Sequence, residues 1–106
     1  MKTLLVHWDK VIQFAVGAAI AAKFLKARLG DVMNQTIYAY ISDGGIQEEI
    51  SQGAGRLAGH LGLDNLIMFY DSNDIQLSTE CNAVTDEDVA KKIRSMGMES
   101  FYYQRK

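Results

Sequence analysis

Apolar and polar residues fall into blocks along this chain, and each block has the period of one kind of element. From Lys10 to Leu29 the apolar and alanine positions recur at helical spacing, and Ala15, Ala18, Ala19 and Ala22 make a face of small side chains. The basic turn Lys26-Ala27-Arg28 and then Gly30 suit the end of a helix. Asp31–Gln35 reads as a linker to a short run of β-branched and aromatic residues, Ile37-Tyr38-Ala39-Tyr40-Ile41. That run is broken by Ser42-Asp43-Gly44-Gly45. A second such run, Leu66-Ile67-Met68-Phe69-Tyr70, is broken by Asp71-Ser72-Asn73-Asp74. Between them the pattern predicts one helix from near Ile46 to about His60, with Glu48 and Glu49 in its first turn. Glycines inside that helix cost about 1 kcal/mol each against alanine, so close packing is expected to offset them.

A long loop from Asp71 to Val84 follows the second strand. Thr85 is the expected N-cap of a third helix, with Asp88 in the capping-box place and Val89, Ile93 and Met96 as its apolar stripe up to Gly97. Met98–Tyr103 reads as a last strand. The order α-β-α-β-α-β with crossover helices predicts an α/β fold: a small parallel sheet of about three strands with flanking helices, in right-handed βαβ units. Both edges of so small a sheet offer unpaired backbone groups, which invite pairing with another chain.

In an α/β sheet the breaks after strands lie at the carboxyl edge, where ligands bind. Asp43 closes the first strand, and Asn73, thirty residues later, closes the second. A carboxylate and an amide oxygen there suit a hard cation such as Mg²⁺, which takes oxygen ligands and keeps phosphate oxygens of its partner ligand. Gly44 lets backbone N–H groups come close to a diphosphate at a helix N-terminus. The competing reading is that Asp43-Gly44 and Asp71–Asp74 are hydrophilic turns, in which Asp, Gly, Ser and Asn are common anyway.

The stretch Tyr38-Ala39-Tyr40-Ile41-Ser42-Asp43-Gly44-Gly45, then Leu57-Ala58-Gly59-His60-Leu61, then Asp64 through Ile75, resembles the thiamine-diphosphate-binding domain of transketolase. That family's signature begins Gly-Asp-Gly and closes with an asparagine about thirty residues on; here Ser42 stands in the place of the first glycine. The resemblance covers residues 11–103 as a partial thiamine-diphosphate-binding domain, leaving residues 1–10 as a segment outside the family pattern and 104–106 as a charged tail. It implies that Asp43 and Asn73 ligate Mg²⁺ with the backbone carbonyl of Ile75. It also implies that Gly44 and Asn73 contact the diphosphate, and that Glu48 joins a carboxylate network between two active sites. Gly53 occupies a position that is commonly a second glutamate. The glycine-rich loop expected before the first helix is replaced by Val6-His7-Trp8-Asp9-Lys10-Val11.

Transketolases transfer a two-carbon ketol unit between sugar phosphates, and their catalytic glutamate lies in a separate pyrimidine-binding domain. The resemblance therefore implies a truncated domain, inactive alone or one piece of a split enzyme, with no catalytic residue of its own. The alternative is a non-catalytic interaction module that keeps the fold and associates with itself or with a full-length relative. A third reading, Asp71 as a phosphoacceptor, lacks the acidic pair expected after a first strand.

Composition narrows the rest. Net charge is −2 with no basic cluster, against nucleic-acid binding. Lys23, Lys26 and Arg28 cut the alanine-rich segment well short of the ~20 apolar residues of a membrane span. The single Cys81 makes no internal disulfide, and no zinc-ligand spacing exists. A cytoplasmic setting is expected, together with self-association or a partner chain that supplies the missing domains.

Overall fold

The computed structural model describes residues 10–75 and 79–103. Residues 1–9, including Trp8, and the tail 104–106 lie outside the described residues. Helix α1 spans Val11–Leu29 and ends where expected: Gly30 adopts φ 78°, and its N–H donates to the Lys26 carbonyl at 2.9 Å. Strand β1 (Ile37–Ser42) and strand β2 (Leu66–Asp71) pair in parallel, Ile37 opposite Leu66 through Ser42 opposite Asp71. The fold is thus α/β, a two-stranded parallel sheet with flanking helices.

Between the strands the chain forms two helices rather than one continuous helix: α2 (Asp43–Gln47) and α3 (Glu49–His60). Glu48 between them is extended, with ψ 128°. The break lets both segments bury their own apolar side. Ile46 of α2 enters the core, while α3 turns Ser51, Gly55 and Ala58 inward at i, i+4, i+7 spacing. The core joins Ile12 and Val16 of α1, Ile41, Ile46 and Ala58, with Leu66 and Met68 packed against it. Of the alanine face on α1, Ala15, Ala19 and Ala22 are buried and Ala18 is exposed. Polar ties fix α1 on the sheet: Asn65 Nδ2 donates to the Ala19 carbonyl at 3.0 Å, and Lys23 Nζ reaches Asp64 Oδ1 at 2.7 Å.

Helix α4 spans Val89–Ser95, starting later than the sequence suggested. Asp88 is its N-cap and accepts from the Lys91 N–H at 2.9 Å; Thr85 instead closes a local turn by accepting from Glu87 N–H. Gly59 of α3 packs against the backbone of Met96, the residue that caps the end of α4. A Cβ there would lie 1.7 Å from the Met96 carbonyl oxygen, so this glycine is required by contact. Gly53 has open space around it, and its lack of a side chain answers to no packing.

The expected third strand does not form. Met98–Tyr103 makes no ladder, and Ser100 is held back toward α4 by a hydrogen bond from Arg94 Nη1 at 2.8 Å. Phe101, Tyr102 and Tyr103 stand in solvent, Phe101 at 89% exposure. The three aromatic residues carry strand propensity, but no described strand lies beside them to pair with, and only Met98 of the segment packs against the core. A groove of about 560 Å³ runs between α3, β2 and α4, lined by Leu63, Leu66, Met68, Ile93 and Met98. The opposite face of the sheet is open, with Phe69 stacked on Tyr40 at 4.9 Å and on Tyr38 at 6.4 Å between ring centroids.

Candidate functional site

The carboxyl ends of β1 and β2 bring Asp43 and the turn 71–75 together. Because the strands are parallel and in register, Ser42 and Asp71 lie side by side, and the residues just beyond them share one corner. Asp43 is only 3% exposed. Its Oδ2 accepts two backbone hydrogen bonds, from Asn73 N–H at 3.0 Å and from Asp74 N–H at 2.9 Å. Its Oδ1 accepts from the Tyr70 hydroxyl. The two loop tips that sequence spacing singled out are thus joined directly.

Among the described residues no Lys, Arg or His makes an ion pair with Asp43. Taking a carboxylate out of water without a cation is costly, and hydrogen-bond donors offset only part of that cost. Burial, and then the hydrogen bond to Asp43, push the Tyr70 hydroxyl up to about 12, so it is a donor throughout the neutral range. Burial first, then the charge of Asp43, also raises the Cys81 thiol and leaves it a neutral neighbour rather than a nucleophile. Cys81 is bonded to the same turn through its backbone, its N–H donating to the Asp74 carbonyl at 3.0 Å.

The other predicted positions take varied parts. Asn73 meets Asp43 through its backbone N–H; its side-chain oxygen accepts from Ile75 N–H at 3.1 Å, and its Nδ2 donates to Asp71 Oδ2 at 3.3 Å. Ile75 forms an isolated antiparallel bridge with Glu80. Gly44 lies half-buried in the first turn of α2, beside Asp43. Glu48 is exposed at the α2–α3 junction. Asp74 has φ 61°, the left-handed region that glycine or asparagine occupies most easily. No cluster of three His, Cys, Asp or Glu side chains stands ready to hold a metal among the described residues. A cation here would rest on one carboxylate together with amide and carbonyl oxygens.

Tyr70 is the group that sequence reading missed. Its position was legible: Leu66 and Met68 point into the core, and Tyr70, two residues on, continues that side to the edge where Asp43 begins. Read only as part of an apolar strand, it gave no hint that its hydroxyl would sit on the key carboxylate.

The structure thus has a buried carboxylate at the carboxyl edge of a parallel α/β unit, the edge at which ligands bind in such folds. Comparison makes the family specific. Residues 9–105 match the family described as transketolase, thiamine diphosphate binding domain, and the chain belongs to it. It is 42% identical to the transketolase of Dictyostelium discoideum over 80% of this chain and 14% of that protein. It is 40% identical to the transketolase of Geobacillus stearothermophilus over 81% of this chain, again 14% of the relative. Among solved structures it is similar to the transketolase of Campylobacter jejuni, with TM-score 0.78 and 38% identity over 81% of this chain and 14% of that one. The chain therefore spans about one seventh of the length of the relatives it matches. No helix among the described residues is long and apolar enough to cross a membrane.

Proposed function

We propose that this chain is a thiamine-diphosphate- and Mg²⁺-binding unit of transketolase type, without ketol transfer of its own. The observation that carries the reading is the buried Asp43 carboxylate, tied to the Asn73–Asp74 turn and lacking a cationic partner among the described residues. The residues fit the metal in kind, since Mg²⁺ takes hard oxygen donors and usually only one or two protein carboxylates. Asp43 would hold the ion, with the Asn73 amide oxygen and the Ile75 carbonyl as further ligands. Gly44 would offer its N–H to the diphosphate. When bound, the cofactor would supply the nucleophilic carbon for moving a two-carbon unit between sugar phosphates. This chain's part is to seat the diphosphate and its cation and to hold the turn 71–75 in place. A cytoplasmic setting belongs to the same reading.

The residues in hand span about 14% of the relatives, and the reading is that they do not catalyse ketol transfer alone. Calorimetric titration with thiamine diphosphate should give binding that requires Mg²⁺ and is lost in Asp43→Ala. No turnover of a ketose phosphate is expected; turnover by this chain alone refutes the inactivity. A second reading, a non-catalytic interaction module, draws on the open face of Tyr38, Tyr40 and Phe69, where Tyr40 is 71% exposed. Parallel sheets are normally covered on both faces. The partner would be a second copy or a chain supplying the other transketolase domains, and co-purification with a full-length transketolase without cofactor binding would favour it.

A further inference from the structure

We propose that Tyr70 gates the cation position: its hydroxyl sits on the oxygen of Asp43 that a divalent ion would take, and the ion competes with it for that oxygen. This rests on the metal-site reading above but adds a residue to it. A carboxylate oxygen offers about two lone-pair directions. Oδ2 spends both on the backbone N–H groups of Asn73 and Asp74. Oδ1 is left for a metal, with one of its two directions already accepting from Tyr70, so an ion there meets the hydroxyl as its competitor. Asp43 itself is almost fully buried, whereas Tyr70 is 36% exposed, so the tyrosine is the partner of Oδ1 that borders solvent. The backbone amides are held by their turn and cannot leave without unfolding it; the tyrosine leaves by a side-chain rotation.

The opposite arrangement is also physically defined. If Tyr70 stays in place and orients the carboxylate while the ion uses the second direction of Oδ1, removing the hydroxyl weakens binding. The two cases differ in sign.

The test is titration of the 106-residue chain with MgCl₂ alone, followed by the NMR shifts of the Asn73 and Asp74 amides. It is run for wild type, Tyr70→Phe and Asp43→Asn. Loss of a competing hydrogen bond to a charged acceptor should tighten Mg²⁺ binding in Tyr70→Phe about tenfold, which is ~1.4 kcal/mol. In the wild type, Mg²⁺ should also produce a tyrosine ultraviolet difference spectrum as the phenol leaves the carboxylate, a signal that needs no variant to fold. Unchanged or weaker binding in Tyr70→Phe overturns the gate, as does an absent difference spectrum at saturating Mg²⁺. If binding is then still lost in Asp43→Asn, the metal-site reading stands without the gate. Wild-type protein that shows no Mg²⁺-dependent shift at these amides overturns both.

Discussion

Replacing Asp43 tests whether this corner of the sheet is organised by a carboxylate. Asp43→Ala leaves three donors without their acceptor: the amides of Asn73 and Asp74 and the Tyr70 hydroxyl. Hydrogen bonds to a charged group contribute about 1.5–3 kcal/mol each, but they do not add fully here. The turn 71–75 is exposed and can rehydrate its amides once released, and deleting the carboxylate removes its own desolvation cost. The net loss should be about 3 kcal/mol, near the upper end of ordinary single substitutions. For a domain of this size that lowers Tm by roughly 12–24 °C. Asp43→Asn keeps the shape. Its amide oxygen can take both backbone donors, and its NH₂ can donate to a reoriented Tyr70 hydroxyl, so the loss should be only ~1 kcal/mol. Urea unfolding followed by circular dichroism in the presence of chelator measures both without any metal contribution. Equal losses for the two variants, or a loss under ~0.5 kcal/mol for alanine, would refute the reasoning.

Other predictions concern the frame around the site. Gly53→Ala, with open space around the position, should stabilise the chain by about 0.5–1 kcal/mol, whereas Gly59→Ala should cost about 3 kcal/mol or more because its methyl meets the Met96 carbonyl; thermal melts of the two variants check the contrast. The folded-state pKa of Tyr70, about 12 against an ordinary 10.0, lies above the unfolded value. Its stabilising contribution is therefore complete below pH 10 and is lost as pH rises toward 12; denaturation midpoints across that range should fall more steeply in wild type than in Tyr70→Phe. Asp88 shifts the other way, its carboxyl held below 3.8 by the Lys91 N–H of the helix cap and then by the Lys91 side chain. Its contribution is present above 3.8 and lost as pH falls through the folded value, so Asp88→Ala should lower stability at pH 7 and flatten the acid limb of the unfolding curve.

Much of this organisation could be read from residues alone because the signals were local. The first helix and its Gly30 end, both strands and the two polar breaks each rest on a few consecutive residues. The meeting of Asp43 with Asn73 followed from strand order. What the pattern could not give depended on contacts across the fold. Glu48, extended between α2 and α3, lets Ile46 and Ala58 reach the same core, a contact across the fold that no local run announces. Asp88 took the cap that Thr85 was expected to hold, since the chain turns once more at 85–87 before entering α4. The failed strand at Met98–Tyr103 had propensity but no strand partner among the described residues. Tyr70 looked apolar because Leu66–Phe69 before it and its register partner Ile41 are all apolar; only Asp43, just past the end of the neighbouring strand, gives its hydroxyl a partner.

The most direct test of the cation-site claim is paramagnetic line broadening by Mn²⁺ on the isolated chain, since that ion takes the same oxygen ligands as Mg²⁺. At substoichiometric Mn²⁺, amide signals of Gly44, Asn73 and Asp74 should broaden first, addition of Mg²⁺ should restore them, and Asp43→Asn should abolish the effect. Broadening spread over exposed carboxylates such as Asp31, Asp64 and Asp86, with the Asp43 corner spared, would contradict the claim.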